Sequence, residues 1–368
     1  MKTILDVSSL VYGGHYGSPD RRISGFPIGG IRKVLGIINA QLPTTDFILC
    51  FDSGVSFRKE LLPEYKAGRV PNYSVFAQLD LLQEILSDCG IPFYSVDGLE
   101  ADDLICSVVH FLGSVGDFEQ TVIYTDDRDL ACCVNSYTCV KNATSNGICI
   151  DRENYERRVV NGTSIPYNTI LLYKMMCGDK SDNYGALNIP SLRFIELANF
   201  LNNELTPYLE RKDMPEVSYM NAEVIKVLID DLPASVSEES REVLRKRVPI
   251  VFPRFTDITI NGEANFMSDA RASNDAFFKV IQRHLKIFCQ GGFNTRRFNM
   301  YCNILGLNRC RMDRLSLSDS DQVEEFKGKL RLMAAELSNG AYAVGRQRLH
   351  ASRKPQTYSA IQNMTLPI

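Results

Sequence analysis

The sequence has no tryptophan and only four histidines in 368 residues, and its 11 cysteines form no C-x-x-C pair. Apart from a Cys132-Cys133 doublet the thiols are scattered, so neither a structural zinc site nor a disulfide framework is expected, and a reducing cytoplasm is the expected compartment. No run of about 18 apolar residues occurs. The first ten residues, MKTILDVSSL, meet an acid where a signal peptide would have a basic flank and a long apolar core. Membrane spans and secretion signals are therefore not expected. What is present is an ordinary globular balance, 45% hydrophobic and 23% charged, enough for a core in two packed units.

The net charge of −3 hides an asymmetry. Residues 1–185 carry 23 acids against 16 Lys and Arg, whereas 278–354 carry 6 against 15. An acidic first half with a basic later stretch suggests a carboxylate site in one region and a polyanion contact in the other.

Short apolar runs at Thr3–Val7, Asp46–Phe51, Pro92–Val96 and Thr121–Thr125 read as buried strands. Between them lie helical periodicities through Ile31, Val34, Leu35 and Ile38, through Val75 to Leu86, and through Leu104 to Val109. The alternation predicts an α/β fold, a mostly parallel sheet with helices on both faces, over residues 1–185. Residues 186–310 read as a mainly helical nucleic-acid-binding domain, with a Ser235-x-x-Glu238 capping box and a basic helix near 277–289. A helical extension fills 311–340, and 341–368 reads as a mobile tail.

The acids have a common address. Asp6 and Asp52 end the first two strands, Glu100, Asp102 and Asp103 open the helix after the third, and Asp127 and Asp129 follow the fourth. Carboxyl ends of parallel strands share one edge, where ligands bind. Asp179 and Asp182 follow an apolar helix at 170–176. Singly, each acid would pass as a helix cap or turn residue. Together they would repel strongly unless cations were present, and oxygen donors without His or Cys select Mg²⁺, with Mn²⁺ as substitute. Two such ions suit phosphodiester hydrolysis.

Arg58, Lys66 and Arg69 lie in an arch-like segment at about 53–73, directly beyond Asp52, where a cation could hold a phosphodiester. Tyr12, Tyr16 and Tyr65 read as packing, with base stacking the alternative.

The ordered set F-R-K-E-L-L-P-E-Y-K-A-G-R at 57–69, L-E-A-D-D-L-I at 99–105, T-D-D-R-D-L at 125–130 and G-D-K-S-D-N at 178–183, with Asp6 and Asp52, resembles the flap endonuclease superfamily. That superfamily includes the 5′-nuclease domains of bacterial DNA polymerase I and the phage 5′–3′ exonucleases, with a PIN-like core. The resemblance implies a structure-specific 5′ nuclease that removes RNA primers or flaps in replication by a two-metal mechanism. It implies Asp6, Asp52, Glu100 and Asp102 as ligands of one ion and Asp103 as a water-mediated partner. Asp127, Asp129, Asp179 and Asp182 fall to the other ion, with Asp126 an ambiguous neighbour, and Arg58, Lys66 and Arg69 match basic residues of a helical arch. The sequence departs from the family after Asn183, where residues 184–194 lack the G-x-G turn of the family's glycine-rich, potassium-binding helix-hairpin-helix; in this it looks most like the RNase H branch of T-even phages. Duplex contacts are then expected from Arg193, Lys279, Arg283, Lys286, Arg296 and Arg297.

Branched or 5′-ended DNA and RNA–DNA duplexes are the expected partners. The final residues resemble peptides that dock replication enzymes on a sliding clamp, through Gln362, Met364, Leu366 and Ile368, although an unstructured end is the simpler expectation. A single-strand-binding protein is a further candidate partner. A PIN-type single-strand ribonuclease and a catalytically silent replisome protein are the alternative readings.

Overall fold

The computed structural model describes residues 1–142 almost throughout, 149–150, parts of 159–185, and 229–230, 237–251, 292–307 and 320–352. In chain order the first part runs β1 (Lys2–Asp6), α1 (Val7–Gly17), a ribbon of β2 (Arg22–Ile23) and β3 (Phe26–Pro27), α2 (Gly29–Gln41), β4 (Asp46–Phe51), α3 (Arg58–Leu61), α4 (Tyr73–Cys89), β5 (Tyr94–Ser95), α5 (Ala101–Ser114), β6 (Thr121–Thr125), a 3₁₀ segment (Asp129–Cys133), β7 (Thr138–Asn142) and β8 (Cys149–Ile150). The six-stranded sheet has the order β5-β4-β1-β6-β7-β8. All its pairs are parallel except β7 with β8 at the edge.

Every residue of β1 is buried, as an apolar strand covered on both faces requires. Alternation then sorts the side chains. Leu5, Phe47, Leu49 and Phe51 join one cluster with α1, α2 and α4, while the equally buried Ile4, Ile48 and Ile123 lie outside it. These face the side where α5 packs on β1 and β4. The register aligns Asp6 with Cys50, so Asp6 and Asp52 leave the sheet at neighbouring points of one edge.

The strands over 46–51 and 121–125 match the sequence expectation, but α1 does not follow from periodicity. Its segment V-S-S-L-V-Y-G-G-H-Y-G is poor in helix formers. The glycines serve packing instead: a Cβ on Gly14 would stand 2.7 Å from the Gly29 carbonyl oxygen, and one on Gly30 would stand 2.6 Å from that of Val11. Only bare backbones let α1 and α2 approach this closely. β7, β8 and the β2–β3 ribbon are likewise absent from the sequence reading.

The later helices are α6 (Glu238–Val251), α7 (Thr295–Ile304), α8 (Ser320–Ser338) and α9 (Ala341–Ser352). α6 is capped by Ser237, whose hydroxyl accepts from the Ser240 amide at 3.2 Å, and Ser235 lies outside the described residues. From the expected unit at 186–310, Phe293 and, on α7, Phe298, Met300, Tyr301 and Cys302 are buried in the same cluster as side chains of α1, α2 and α4. Phe326 and Leu330 of α8 extend the same cluster, and the Tyr301 and Phe326 rings meet edge to face at 4.9 Å.

The expected tail also needs correction, because 341–352 is helix α9. Gly340, with φ +77°, ends α8 and the chain restarts as a helix at once. Arg346 of α9 lies 4.4 Å over the Phe76 ring and bonds Asp80 of α4 at 2.9 Å, and the Tyr342 hydroxyl bonds the same carboxylate. α9 docks by charge and ring contacts without an apolar stripe, so hydrophobic periodicity gave no sign of it. Arg193, Lys279, Arg283, Lys286 and the C-terminal residues Gln362, Met364, Leu366 and Ile368 lie outside the described residues. No helix among the described residues is long and apolar enough to cross a membrane.

Candidate metal centre

Asp6 and Asp52 are fixed by the helices that follow their strands. Asp6 accepts from the Ser9 amide at 3.1 Å, capping α1, and from the Thr125 hydroxyl at 2.7 Å. Asp52 accepts from the Ala101 amide at 2.7 Å at the start of α5, and its own amide donates to the Ser8 hydroxyl. The capping expected of strand-end acids is thus real, and a carboxylate oxygen that accepts one hydrogen bond keeps a second lone pair.

Asp127 and Asp129 leave the end of β6 in a tight turn, with the Asp129 amide donating to Asp127 at 2.9 Å and the Asp127 amide donating to Thr125 at the same distance. The segment 178–185 closes on itself through paired Asp179 and Tyr184 backbones, with Gly178 at φ +74° and Asn183 at φ +65° supplying the left-handed corners. Asp179 accepts from the Ser181 amide and hydroxyl at 2.7 and 2.6 Å. Lys174, which sequence reasoning missed, reaches between Asp129 and Asp179 and bonds both. Its one signal is a lone cation amid Leu171, Leu172, Met175 and Met176. Asp126 instead meets Lys33 at 2.6 Å, which leaves Asp127 and Asp129 as the pair at the centre. Asp102, Asp129 and Asp182 line one narrow cavity, joining the two groups of acids.

The basic residues divide differently from expectation. Lys66, with φ +53°, places its ammonium 2.6 Å from Glu100, and its amide donates to the Asp182 carbonyl at 3.1 Å. Arg69 meets Asp182 at 2.9 Å and is half exposed. Arg58 is buried among the acids. It is 1% exposed, forks onto Asp103 with two bonds of 2.7 Å, and bonds Glu100 at 2.9 Å and the Ile250 carbonyl at 2.8 Å. Asp103, fully buried in that fork, also accepts from the Glu100 amide at 3.1 Å, so in the metal-free chain it serves as the counterion of Arg58. Tyr65 is buried with its hydroxyl on Glu100 at 2.9 Å, whereas Tyr16 is exposed and lies against Tyr12 with ring centres 6.5 Å apart. Residues 53–73 form only one helical turn and lie across the carboxylates as a strap, tied through Ser53 to Leu99 and through Phe57 to Gly98. Arg297 bonds Asp88 of α4 and holds α7 in place, and Arg296 is exposed on the same helix.

The donor set fits hard divalent ions. Burial, and then the Asp52 charge, push Asp6 up to about 7; burial and Asp127 push Asp129 up to about 7 even beside Lys174. Burial acts to raise Asp179 too, but the bonds from Lys174 and Ser181 reverse this and hold it down to about 2. One ammonium thus serves two acids, and the one with the extra donors keeps the charge. Glu100, despite burial, is held low by Lys66 and Arg58. The resemblance sorts Asp6, Asp52, Glu100 and Asp102 into one oxygen-only set and Asp127, Asp129, Asp179 and Asp182 into another; among the described residues of this metal-free chain, no three of these acids bring oxygens within 4.8 Å of one another.

Residues 1–160 match the family of 5′–3′ exonuclease N-terminal, resolvase-like domains. The chain is 26% identical over 265 residues to the 5′–3′ exonuclease of Buchnera aphidicola, covering 64% of this chain and 88% of that protein. It is 30% identical over 187 residues to DNA polymerase I of Pseudomonas aeruginosa, covering 49% of this chain but only 20% of the polymerase. A solved structure of T5 5′-exonuclease with bound zinc ions aligns at 16% identity and a TM-score of 0.42, covering 68% of this chain and 99% of that one.

Proposed function

We propose, from the match of residues 1–160 to the 5′–3′ exonuclease N-terminal domain family, that the chain is a 5′ nuclease of the flap endonuclease superfamily, a Mg²⁺-dependent phosphodiesterase acting at 5′ ends and junctions of DNA and RNA–DNA duplexes. The observation that supports this reading is that Asp102 of α5, Asp129 beyond β6 and Asp182 line one cavity.

Asp6, Asp52, Glu100 and Asp102 would hold one ion and Asp127, Asp129, Asp179 and Asp182 the other. Bound there, such ions lower the pKa of an attacking water and offset charge on the leaving oxygen. Thr125 fixes both groups, donating to Asp6 and accepting from the Asp127 amide. The Arg58–Asp103 fork sets the start of α5 and hence the direction of Glu100 and Asp102. Lys66 and Lys174 neutralise carboxylates in the metal-free protein. Lys66, on the strap and partly exposed, would hold a phosphodiester beside the acids, with Arg69 as a second, more peripheral cation.

Cleavage of a 5′-flap duplex, compared with unstructured RNA and measured with and without Mg²⁺, tests the reading. Flap cleavage that needs Mg²⁺ supports it. Cleavage of the RNA alone would move the protein to single-strand ribonuclease chemistry, and binding without cleavage would make it a silent nucleic-acid-binding protein.

A further inference from the structure

Directly behind the carboxylates, Cys106 of α5 meets Cys132 and Cys133 of the 3₁₀ segment. Their sulfurs all lie within 4.8 Å of one another, with Cys106 Sγ 3.3 Å from that of Cys133 and 4.0 Å from that of Cys132. All three thiols are free and at most 2% exposed. We infer that this cluster is a second metal site, opposite in hardness to the carboxylate centre, which takes one thiophilic divalent ion of the Zn²⁺ and Cd²⁺ class.

The geometry is close to what such an ion needs. Three sulfurs bound tetrahedrally at about 2.3 Å stand about 3.8 Å apart. The sulfurs here span that value, so sub-ångström rotations of three side chains complete the coordination. The fourth position is open to a solvent molecule, because Cys106 and Cys132 line, together with Asp102 and Asp129, a cavity of about 20 Å³, room for one water. Soft thiolates and hard carboxylates then sort ions by class: Mg²⁺ has little affinity for sulfur, and Zn²⁺ or Cd²⁺ prefers it. Binding exchanges three S–H bonds for three metal–sulfur bonds and releases three protons to solvent, with no change of oxidation state. The sequence reading held these residues apart because 26 residues separate Cys106 from Cys132 and no C-x-x-C spacing links them; it is the fold that joins them.

The place of the cluster gives it a consequence. Cys106 lies one turn beyond Asp102 and Asp103, and Cys132 one turn beyond Asp129, so an ion on the sulfurs ties together the two segments that present opposite carboxylate groups. Occupancy is expected to disturb their spacing and to slow cleavage. This second step rests on the nuclease reading; the binding step does not.

The test titrates the metal-free full chain with Cd²⁺ in the presence of excess Mg²⁺, following thiolate-to-metal charge-transfer absorbance and proton release. The expected result is one equivalent bound per chain with release of three protons. Cys106→Ser and, separately, Cys133→Ser should bind Cd²⁺ roughly a hundredfold more weakly or worse, since even outer-partner losses at metal sites reach that size. Both variants should cleave at the wild-type rate in Mg²⁺ alone and escape Cd²⁺ inhibition. The absence of a charge-transfer band in the wild-type chain overturns the inference whether or not any variant folds. So does a band of equal strength in both variants, which assigns the ion to other cysteines or leaves the cluster as plain core packing. Inhibition that persists unchanged in both variants overturns the consequence by placing Cd²⁺ on the carboxylates. A protein that shows the band but cleaves nothing keeps the metal site and loses the nuclease reading.

Discussion

Replacing Arg58 by Met separates the two roles open to that residue. In the fold its guanidinium is buried, forks onto the fully buried Asp103, and bonds Glu100 and the Ile250 carbonyl. Met keeps much of the volume but leaves the Asp103 carboxylate uncompensated, and removal of one partner of a buried pair costs about 3–5 kcal/mol. Pairing Arg58→Met with Asp103→Leu removes the orphaned charge. The double variant should regain roughly half of that loss, because buried pairs replaced by apolar side chains are often near neutral, while Glu100 and the Ile250 carbonyl still lack their donor. Urea unfolding monitored by circular dichroism on the wild type, both single variants and the double variant gives the coupling energy. A coupling above about 1 kcal/mol, with each single variant destabilised, supports the counterion role. An Arg58→Met protein as stable as wild type that has lost substrate binding would refute it and return Arg58 to the phosphate.

The metal-free protein should lose stability as pH rises from about 4 to 7: folded Asp6 and Asp129 keep their protons up to about 7, whereas the unfolded chain releases them near the ordinary value of 3.8, so the folded state binds more protons throughout that window. Thermal melts at pH 5 and 8, with and without Mg²⁺, check this; the Mg²⁺ effect should be larger at pH 8, and an effect confined to pH 5 would contradict it. Gly14→Ala places a methyl 2.7 Å from the Gly29 carbonyl oxygen and should destabilise by about 1–3 kcal/mol, while Gly17→Ala, which meets nothing within 4 Å, should be neutral or stabilising; melting temperatures of the two compare directly. Lys66→Ala should lower the single-turnover cleavage rate more than it weakens substrate affinity; equal weakening for all duplexes, with unchanged chemistry, would make Lys66 a general electrostatic contact.

The parallel sheet was legible because β1, β4 and β6 are short apolar runs, and Asp6, Asp52, Asp127 and Asp129 were legible because they end or follow such runs. α1 was not, since its glycines are chosen for backbone contact with α2, a requirement set by tertiary structure against local propensity. α9 was not, because Arg346, Tyr342 and Asp80 carry its docking and charge pairs across 262 or more residues leave no periodic trace. Within the centre, residue type identified the ligand set but not the direction of each side chain. Arg58 and Lys66 look alike in sequence, eight residues apart on one basic segment; burial makes the first a counterion and leaves the second facing the acids. Lys174 carried no motif of its own. Its role depends on the fold, which brings it between Asp129 and Asp179.

The most direct test of the central claim is the Mg²⁺ dependence of single-turnover cleavage of a 5′-flap duplex by wild type and Asp179→Asn, with substrate affinity measured alongside. A neutral amide is a poor Mg²⁺ ligand, and Asp179 is the acid of the second group that keeps its charge most firmly. The account predicts a rate lowered by orders of magnitude at saturating Mg²⁺, with duplex binding retained or tightened because one negative charge has gone. Cleavage by Asp179→Asn at the wild-type rate, with unchanged Mg²⁺ dependence, would contradict it.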